Sequence, residues 1–395
     1  MNILFIGREF PFPPDSGVKQ RAWYVLEQLA RQHDVHLLCY GSEEDRKKKE
    51  ARDVLRSMDV VPPPAKKSGV GLYGAMLAGL FSPLPFSVQS RVSPALREKI
   101  DTLLATQPID LIVCDSLYQA VQFEESGRKV ILNEHNIESV IIKRYQRVEL
   151  NPLRKIYAAY EGWRMERFEN RIWRRYQNVW VCSPVDRDEV LRRVPQGRVD
   201  VIPNGVRVPA LHKREREIFP KSLVYTGLIG WHPNEDAVLF FIQEIYPLIK
   251  QRVPNVKFWV VGKGPTEKVK RLAAQDGSIT VTGFVDDVRS YIEEAEVFVV
   301  PLRIGSGTRL KILEAMAMKK AVVSTSVGCE GLAVTDQDNI FIADDAPTFA
   351  RRVVELLNDA ETRNRLEENG RALVEREYSW DVIGETIAAV VRELS

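Results

Sequence analysis

Short apolar runs alternate with stretches of helical periodicity along the whole chain, and this alternation narrows the fold more than any other feature. A strand buried on both faces reads as a continuous apolar run. The return to the next parallel strand needs a helix, so the pattern predicts parallel α/β sheets. In the first half the predicted strands are Asn2–Ile6, Val35–Tyr40, Asp110–Cys114, Lys129–Leu132 and Val179–Cys182. A helix beginning beyond the loop Pro11–Gly17 carries Trp23, Val25, Leu26, Leu29 and Ala30 at near 3.6-residue spacing. A second cycle follows, with strands at Ser222–Thr226, Val256–Val261, Ile279–Thr282, Val297–Val300 and Ala321–Ser324.

At 395 residues the chain exceeds what one hydrophobic core usually serves, so two domains are expected. Pro203-Asn204-Gly205 is turn chemistry at a natural boundary. The expected domains are 1–203, joined by a final helix at 378–395 that packs back on it, and 204–377. Lys and Arg number 56 against 54 Asp and Glu, a balance that argues against a dedicated nucleic-acid binder. Cys39, Cys114, Cys182 and Cys329 are scattered without CxxC spacing, which fits a reduced, cytoplasmic compartment. The apolar stretch Gly69–Phe81 has about 13 residues against the ~20 needed to span a bilayer.

The strongest local signal is the stretch from Pro301 to Met318. A buried strand runs into Gly305-Ser306-Gly307 and then a helix. Glycines let a ligand approach the backbone, and free amides at a helix start attract anions. Lys311 and Glu314 fall three positions apart on one helix face. Lys311 suits a diphosphate and Glu314 suits ribose hydroxyls, while an ordinary surface pair behind a Thr308 N-cap is the plainer alternative.

That stretch, together with Gly283-Phe284-Val285-Asp286-Asp287 and Ala321-Val322-Val323-Ser324-Thr325, resembles family 4 of the glycosyltransferases. Within the family it is similar to sugar transferases of bacterial exopolysaccharide and sorting-associated gene clusters. The resemblance spans nearly the whole chain. It implies the GT-B fold, in which two Rossmann-like parallel-sheet domains face each other across a cleft. It also implies retaining transfer of a sugar from a nucleotide diphosphate donor, UDP- or GDP-linked, without a metal or other cofactor. The N-terminal domain would hold a glycan or lipid-linked saccharide acceptor, and the C-terminal domain the donor.

Carried over residue by residue, the resemblance puts the donor on Gly227, Asn234, Gly262, Gly264, Val285, Ser306, Gly307, Thr308, Arg309 and Leu310, with Lys311 and Glu314 at the diphosphate and ribose. The base would lie near Gly262–Pro265 and Phe284–Val285. The family's paired glutamates would put the first at position 306, where this chain has Ser306 and so supplies no charge. His135, after the strand Lys129–Leu132, matches the histidine near the donor sugar, although a lone histidine is more often structural. Ser16 and Gly17 stand where relatives bring a glycine-rich turn to the diphosphate, with a bland turn the competing reading. Arg21, Glu134 and Glu138 are weaker acceptor candidates.

Between Lys143 and Arg175 ten Lys or Arg stand against four Glu, interleaved with Tyr and Trp. This suits either an anionic membrane surface or a helical hairpin with a solvated basic face. The pairs Asp286-Asp287 and Asp344-Asp345 resemble metal-holding aspartates, but helix capping explains the first better. Two other readings stay open: a nucleotide-sugar epimerase of the same fold, and a non-catalytic nucleotide or glycan binder. A dehydrogenase is disfavoured because no G-x-G-x-x-G follows the first strand.

Overall fold

The computed structural model describes residues 1–65, 79, 82–122, 127–149, 151–176, 178–209, 218–305 and 308–394. It divides into two compact units, Met1–Pro203 with Ile383–Ser395, and Asn204–Val382. The final helix, Trp380–Glu393, therefore enters the first unit from Ile383 onward. Within that unit Glu393 pairs with Arg198 at 2.7 Å, and Gly384 packs directly on Gln28.

Among the described residues the first unit holds a seven-stranded sheet. Its strands are β1 (Asn2–Gly7), β2 (Asp34–Tyr40), β3 (Ser57–Val61), β4 (Leu111–Asp115), β5 (Lys129–Asn133), β6 (Asn178–Val181) and β7 (Arg198–Val201). They lie in the order β3-β2-β1-β4-β5-β6-β7, and every pairing is parallel. The second unit holds β8 (Ser222–Thr226), β9 (Lys257–Val261), β10 (Ile279–Gly283), β11 (Val297–Val300), β12 (Ala321–Ser324) and β13 (Phe341–Ile342). Their order is β10-β9-β8-β11-β12-β13, again parallel. Both sheets reverse direction once, between β1 and β4 and between β8 and β11. The crevice outside the strand carboxyl ends at such a reversal is where open α/β sheets bind ligands.

The central strands are buried along their whole length. Val297, Phe298, Val299 and Val300 have no exposed surface, as a strand covered by helices on both faces requires. The helices start where short polar side chains satisfy free amides: Ser16, Ser93, Asn151, Ser183, Thr266, Asp345 and Asp359 all cap in this way. All four cysteines are buried free thiols. Among the described residues no helix is long and apolar enough to cross a membrane. Most of the Gly69–Phe81 stretch lies outside them.

Candidate functional site

In the second unit the loops after β8, β9, β10 and β11 meet at the strand carboxyl ends. Lys311 reaches back from the Leu310–Ala317 helix to the end of β8. Its Nζ donates to Tyr225 Oη at 3.0 Å and Asn234 Oδ1 at 3.1 Å, and lies 4.2 Å from the Tyr225 ring centroid. Tyr225 in turn donates to Asn234 Oδ1 at 2.6 Å, and Asn234 Nδ2 donates to the Leu228 carbonyl at 2.8 Å. Burial pushes the Lys311 ammonium down to about 7, and the neighbouring Arg309 adds to the shift while Glu314 opposes it. A partly dehydrated cation beside a second cation is poised to gain from an incoming anion.

The backbone here requires glycine at two points. A Cβ on Gly227, whose φ is +151°, would stand 2.9 Å from Lys311 Nζ. At Gly262, with φ +144°, a Cβ would fall 1.8 Å from the Gly227 carbonyl oxygen. Gly262 therefore lets the β8 and β9 loops touch, and Gly227 lets the ammonium lie against the chain. Gly264 also has a positive φ, +72°.

The helix that carries Lys311 buries Ile312, Leu313, Ala315, Met316 and Ala317, and leaves Lys311 and Glu314 half-buried on its open face. That arrangement matches the 3.6-residue spacing read from the sequence. Leu310 packs against the core. Thr308 does not cap the helix, although the plainer alternative would have it do so. Arg309 occupies the cap position with no capping side chain, and Thr308 Oγ1 instead accepts from Asn204 Nδ2 at 2.7 Å. Arg309 is buried, with its guanidinium against Gly305. Ser306 and Gly307 lie outside the described residues. Val285 is half-buried on the core, whereas Phe284, after β10, is 70% exposed on this edge, as are Leu228 and Trp231 after β8 to lesser degrees. Three of the four paired aspartates serve backbone, although Val288, not an aspartate of the first pair, occupies the cap of the Arg289–Glu294 helix. Asp287 accepts from the Arg289 amide, Asp345 from the Thr348 amide, and Asp344 from Ser326.

In the first unit a chain of buried polar groups ends at His135. Its Nε2 lies 2.7 Å from Asp115 Oδ1. Asn133 donates to that same oxygen at 2.8 Å, and Arg21 donates to Asn133 Oδ1 at 2.6 and 3.1 Å and to the Ile202 carbonyl at 2.8 Å. Arg21 is 1% exposed, so its guanidinium serves protein groups. Glu134 is likewise buried, held by the Trp173 indole at 2.9 Å and the Leu117 amide at 3.2 Å, and burial pushes its carboxyl up to about 8. Glu138 is half-buried at the start of the Glu138–Val148 helix, where burial raises its proton affinity and Arg8 and Arg91 oppose that shift. Ser16 caps the Gly17–Ala30 helix through the Lys19 amide, and both Ser16 and Gly17 are exposed beyond β1.

Two family models match successive parts of the chain. "Glycosyltransferase Family 4" matches residues 16–208, and "Glycosyl transferases group 1" matches residues 220–359. The chain is a family 4 glycosyltransferase. It belongs with the retaining hexosyltransferases that use nucleotide sugars, and its two sheets are those of the GT-B fold. A relative from Klebsiella pneumoniae, an uncharacterized protein in its cps region, is 22% identical over 95% of this chain and 96% of its own length. A phosphatidyl-myo-inositol mannosyltransferase of Mycolicibacterium smegmatis is 27% identical over 49% of this chain and 52% of its own. That match therefore covers only about half of either protein. Among solved structures, Anabaena HepE in complex with UDP-glucose superposes with a TM-score of 0.68 at 14% identity, with 100% of each chain covered.

Sequence reasoning missed three groups that this transferase brings to its sites. Tyr225 ends a buried strand and reads as core, yet its hydroxyl holds Lys311. Asp115 and Asn133 end β4 and β5, and polar residues closing apolar runs were the available signal.

Proposed function

We propose that this transferase moves a hexose from a UDP- or GDP-linked donor to a glycan or lipid-linked saccharide acceptor, with retention and without a metal. The observation that carries the reading is the Lys311 ammonium, held at the β8 carboxyl end with its proton affinity lowered by burial. The donor diphosphate would sit on Lys311, Arg309 and the loop amides of residues 307–311. Glu314 would take the ribose, and Phe284 would stack on the base. A sugar leaving a diphosphate passes through an oxocarbenium-like state, so neutralising the departing charge is the largest contribution the site can make. Same-face attack lets the leaving phosphate accept the acceptor's proton. His135 would hydrogen-bond the donor sugar, with Asp115 fixing its tautomer. Ser16 and Gly17 would support the diphosphate through the exposed helix start.

We further assign the Pro152–Arg175 helix to an anionic membrane surface. Leu153, Ile156, Tyr160 and Trp163 form one exposed stripe, 78%, 68%, 38% and 50% accessible, bordered by exposed Arg154, Lys155 and Arg167. The inner face of the same segment fits the helical-hairpin reading instead. Trp173 and Tyr176 are core, and Arg164 is buried against Glu161 at 2.5 Å.

The test is a binding and hydrolysis screen of UDP-, GDP-, ADP- and TDP-sugars with wild-type, Lys311→Ala and Glu314→Ala proteins. One sugar should bind and turn over, with both variants impaired. Donor conversion without any acceptor would indicate an epimerase. Tight binding with no turnover across a broad acceptor panel would indicate a non-catalytic binder.

A further inference from the structure

A second cluster of charge lies on the same carboxyl edge as His135 and has no part in the donor chemistry. Arg8 leaves β1 directly after Gly7, Tyr118 follows β4, and Glu138 follows β5. These three strands are neighbours in the sheet, so their loops stand side by side. Arg91 joins them from the turn after the Phe86–Gln89 helix. Its guanidinium carbon lies 4.1 Å from the Tyr118 ring centroid, and that of Arg8 lies 5.3 Å from it. Tyr118 is 5% exposed and is electrostatically coupled to Glu138 and to both arginines.

We infer that Arg8 and Arg91, ordered by Tyr118 and bordered by Glu138, form a subsite for an anionic group, a phosphate or a carboxylate, carried by the acceptor.

Charge balance is the first reason. Two guanidiniums close enough to repel each other face one carboxylate, and burial raises that carboxylate's own proton affinity. The cluster therefore holds surplus positive charge in a partly dry setting, which an anion would offset. Geometry is the second. Arg91 is fixed: its Nη1 donates to the Ser87 carbonyl at 2.5 Å, and its own carbonyl accepts from Tyr40 Oη at 2.9 Å and Gln122 Nε2 at 2.7 Å. An ordered guanidinium fork matches two oxygens of a phosphate or carboxylate at little entropic cost. Position is the third. Glu138 is electrostatically coupled to His135 as well as to both arginines, so a group bound here lies beside the residue assigned to the reacting sugar. The inference rests on the proposal that the first unit holds the acceptor.

The experiment titrates glucose 1-phosphate, glucuronate and uncharged glucose into the full chain, with wild-type, Arg8→Gln, Arg91→Gln, Arg8→Lys and Lys311→Ala proteins. Thermal unfolding verifies that each variant folds. One or both acidic probes should bind at least about tenfold tighter than glucose and lose about tenfold or more in Arg8→Gln and Arg91→Gln. Arg8→Lys should retain part of the affinity, and Lys311→Ala all of it. Tighter glucose 1-phosphate points to a phosphorylated acceptor, and tighter glucuronate to a uronate. Equal binding of glucose, no binding of either acid, or loss confined to Lys311→Ala would overturn the inference. The last outcome would leave the donor assignment standing. If instead no nucleotide sugar binds while the acids still require Arg8 and Arg91, the donor reading fails and this one survives.

Discussion

The two sheet edges solve different problems with similar architecture. At the β8/β11 reversal the polar groups converge on one cation, Lys311, which Tyr225 and Asn234 hold while glycines clear the space around it. At the β1/β4 reversal the polar groups form a chain, Arg21 to Asn133 to Asp115 to His135, that fixes one ring. The first arrangement stores an electrostatic deficit that a ligand can relieve. The second stores orientation. Binding strength should therefore depend on the second unit, and turnover on both.

The largest expected effect concerns the loop contact beneath the proposed donor site. Gly262→Ala puts a methyl 1.8 Å from a carbonyl oxygen at positive φ and should cost roughly 3 kcal/mol of stability. A thermal unfolding midpoint within a degree of wild type would show that the β8 and β9 loops are not pinned as described. Next, Lys311→Ala or Glu314→Ala should lower donor turnover at least about tenfold, the equivalent of ~1.4 kcal/mol. Wild-type-like rates in both would remove the donor assignment.

Asp115→Asn sharpens the contrast. It keeps the side-chain shape but lets the amide present a donor to His135 Nε2, so kcat should fall about tenfold while nucleotide affinity stays within about twofold. A loss of affinity equal to that of Lys311→Ala would erase the distinction between the two edges. The smallest effect belongs to the membrane surface. Replacing Ile156 and Trp163 together with serine should reduce sedimentation with vesicles of anionic phospholipid several-fold and leave turnover of a soluble acceptor unchanged. Unaltered sedimentation would remove that helix from the membrane.

Much of this molecule was legible because its central strands are continuous apolar runs and its site helix obeys a clear periodicity. The ten strands expected from the apolar runs all form, with ends shifted by a residue or so. Three others were not foreseen: β3 (Ser-Met-Asp-Val-Val), β7 (Arg-Val-Asp-Val) and the two-residue β13. All three are outermost strands; charged residues interrupt the runs of β3 and β7, and β13 is only two residues long. That Lys311 and Glu314 share the open face of their helix was readable from spacing. The alternative that made Thr308 an N-cap fails because its partner, Asn204, is distant in sequence, and no local pattern reports a long-range hydrogen bond. The same holds for Tyr225 and Asp115, whose roles exist only once separate strands are brought together. Arg21 and Glu134 looked available to an acceptor because sequence conveys charge but not burial.

The most direct test of the central claim is the pH dependence of donor affinity. In the free protein Lys311 releases its proton near pH 7, and a bound diphosphate should raise that value. Binding then takes up a proton between the two values, so affinity is full below about pH 7 and declines as pH rises, by up to about tenfold per unit. UDP-glucose and GDP-mannose, whose diphosphate diesters do not titrate in this range, should be followed by calorimetry from pH 6 to 9 with wild-type and Lys311→Met proteins. The tighter sugar should lose affinity with rising pH in the wild type and show a flat, weaker profile in the variant. Identical pH profiles in the two proteins would contradict the claim that the donor's diphosphate rests on Lys311.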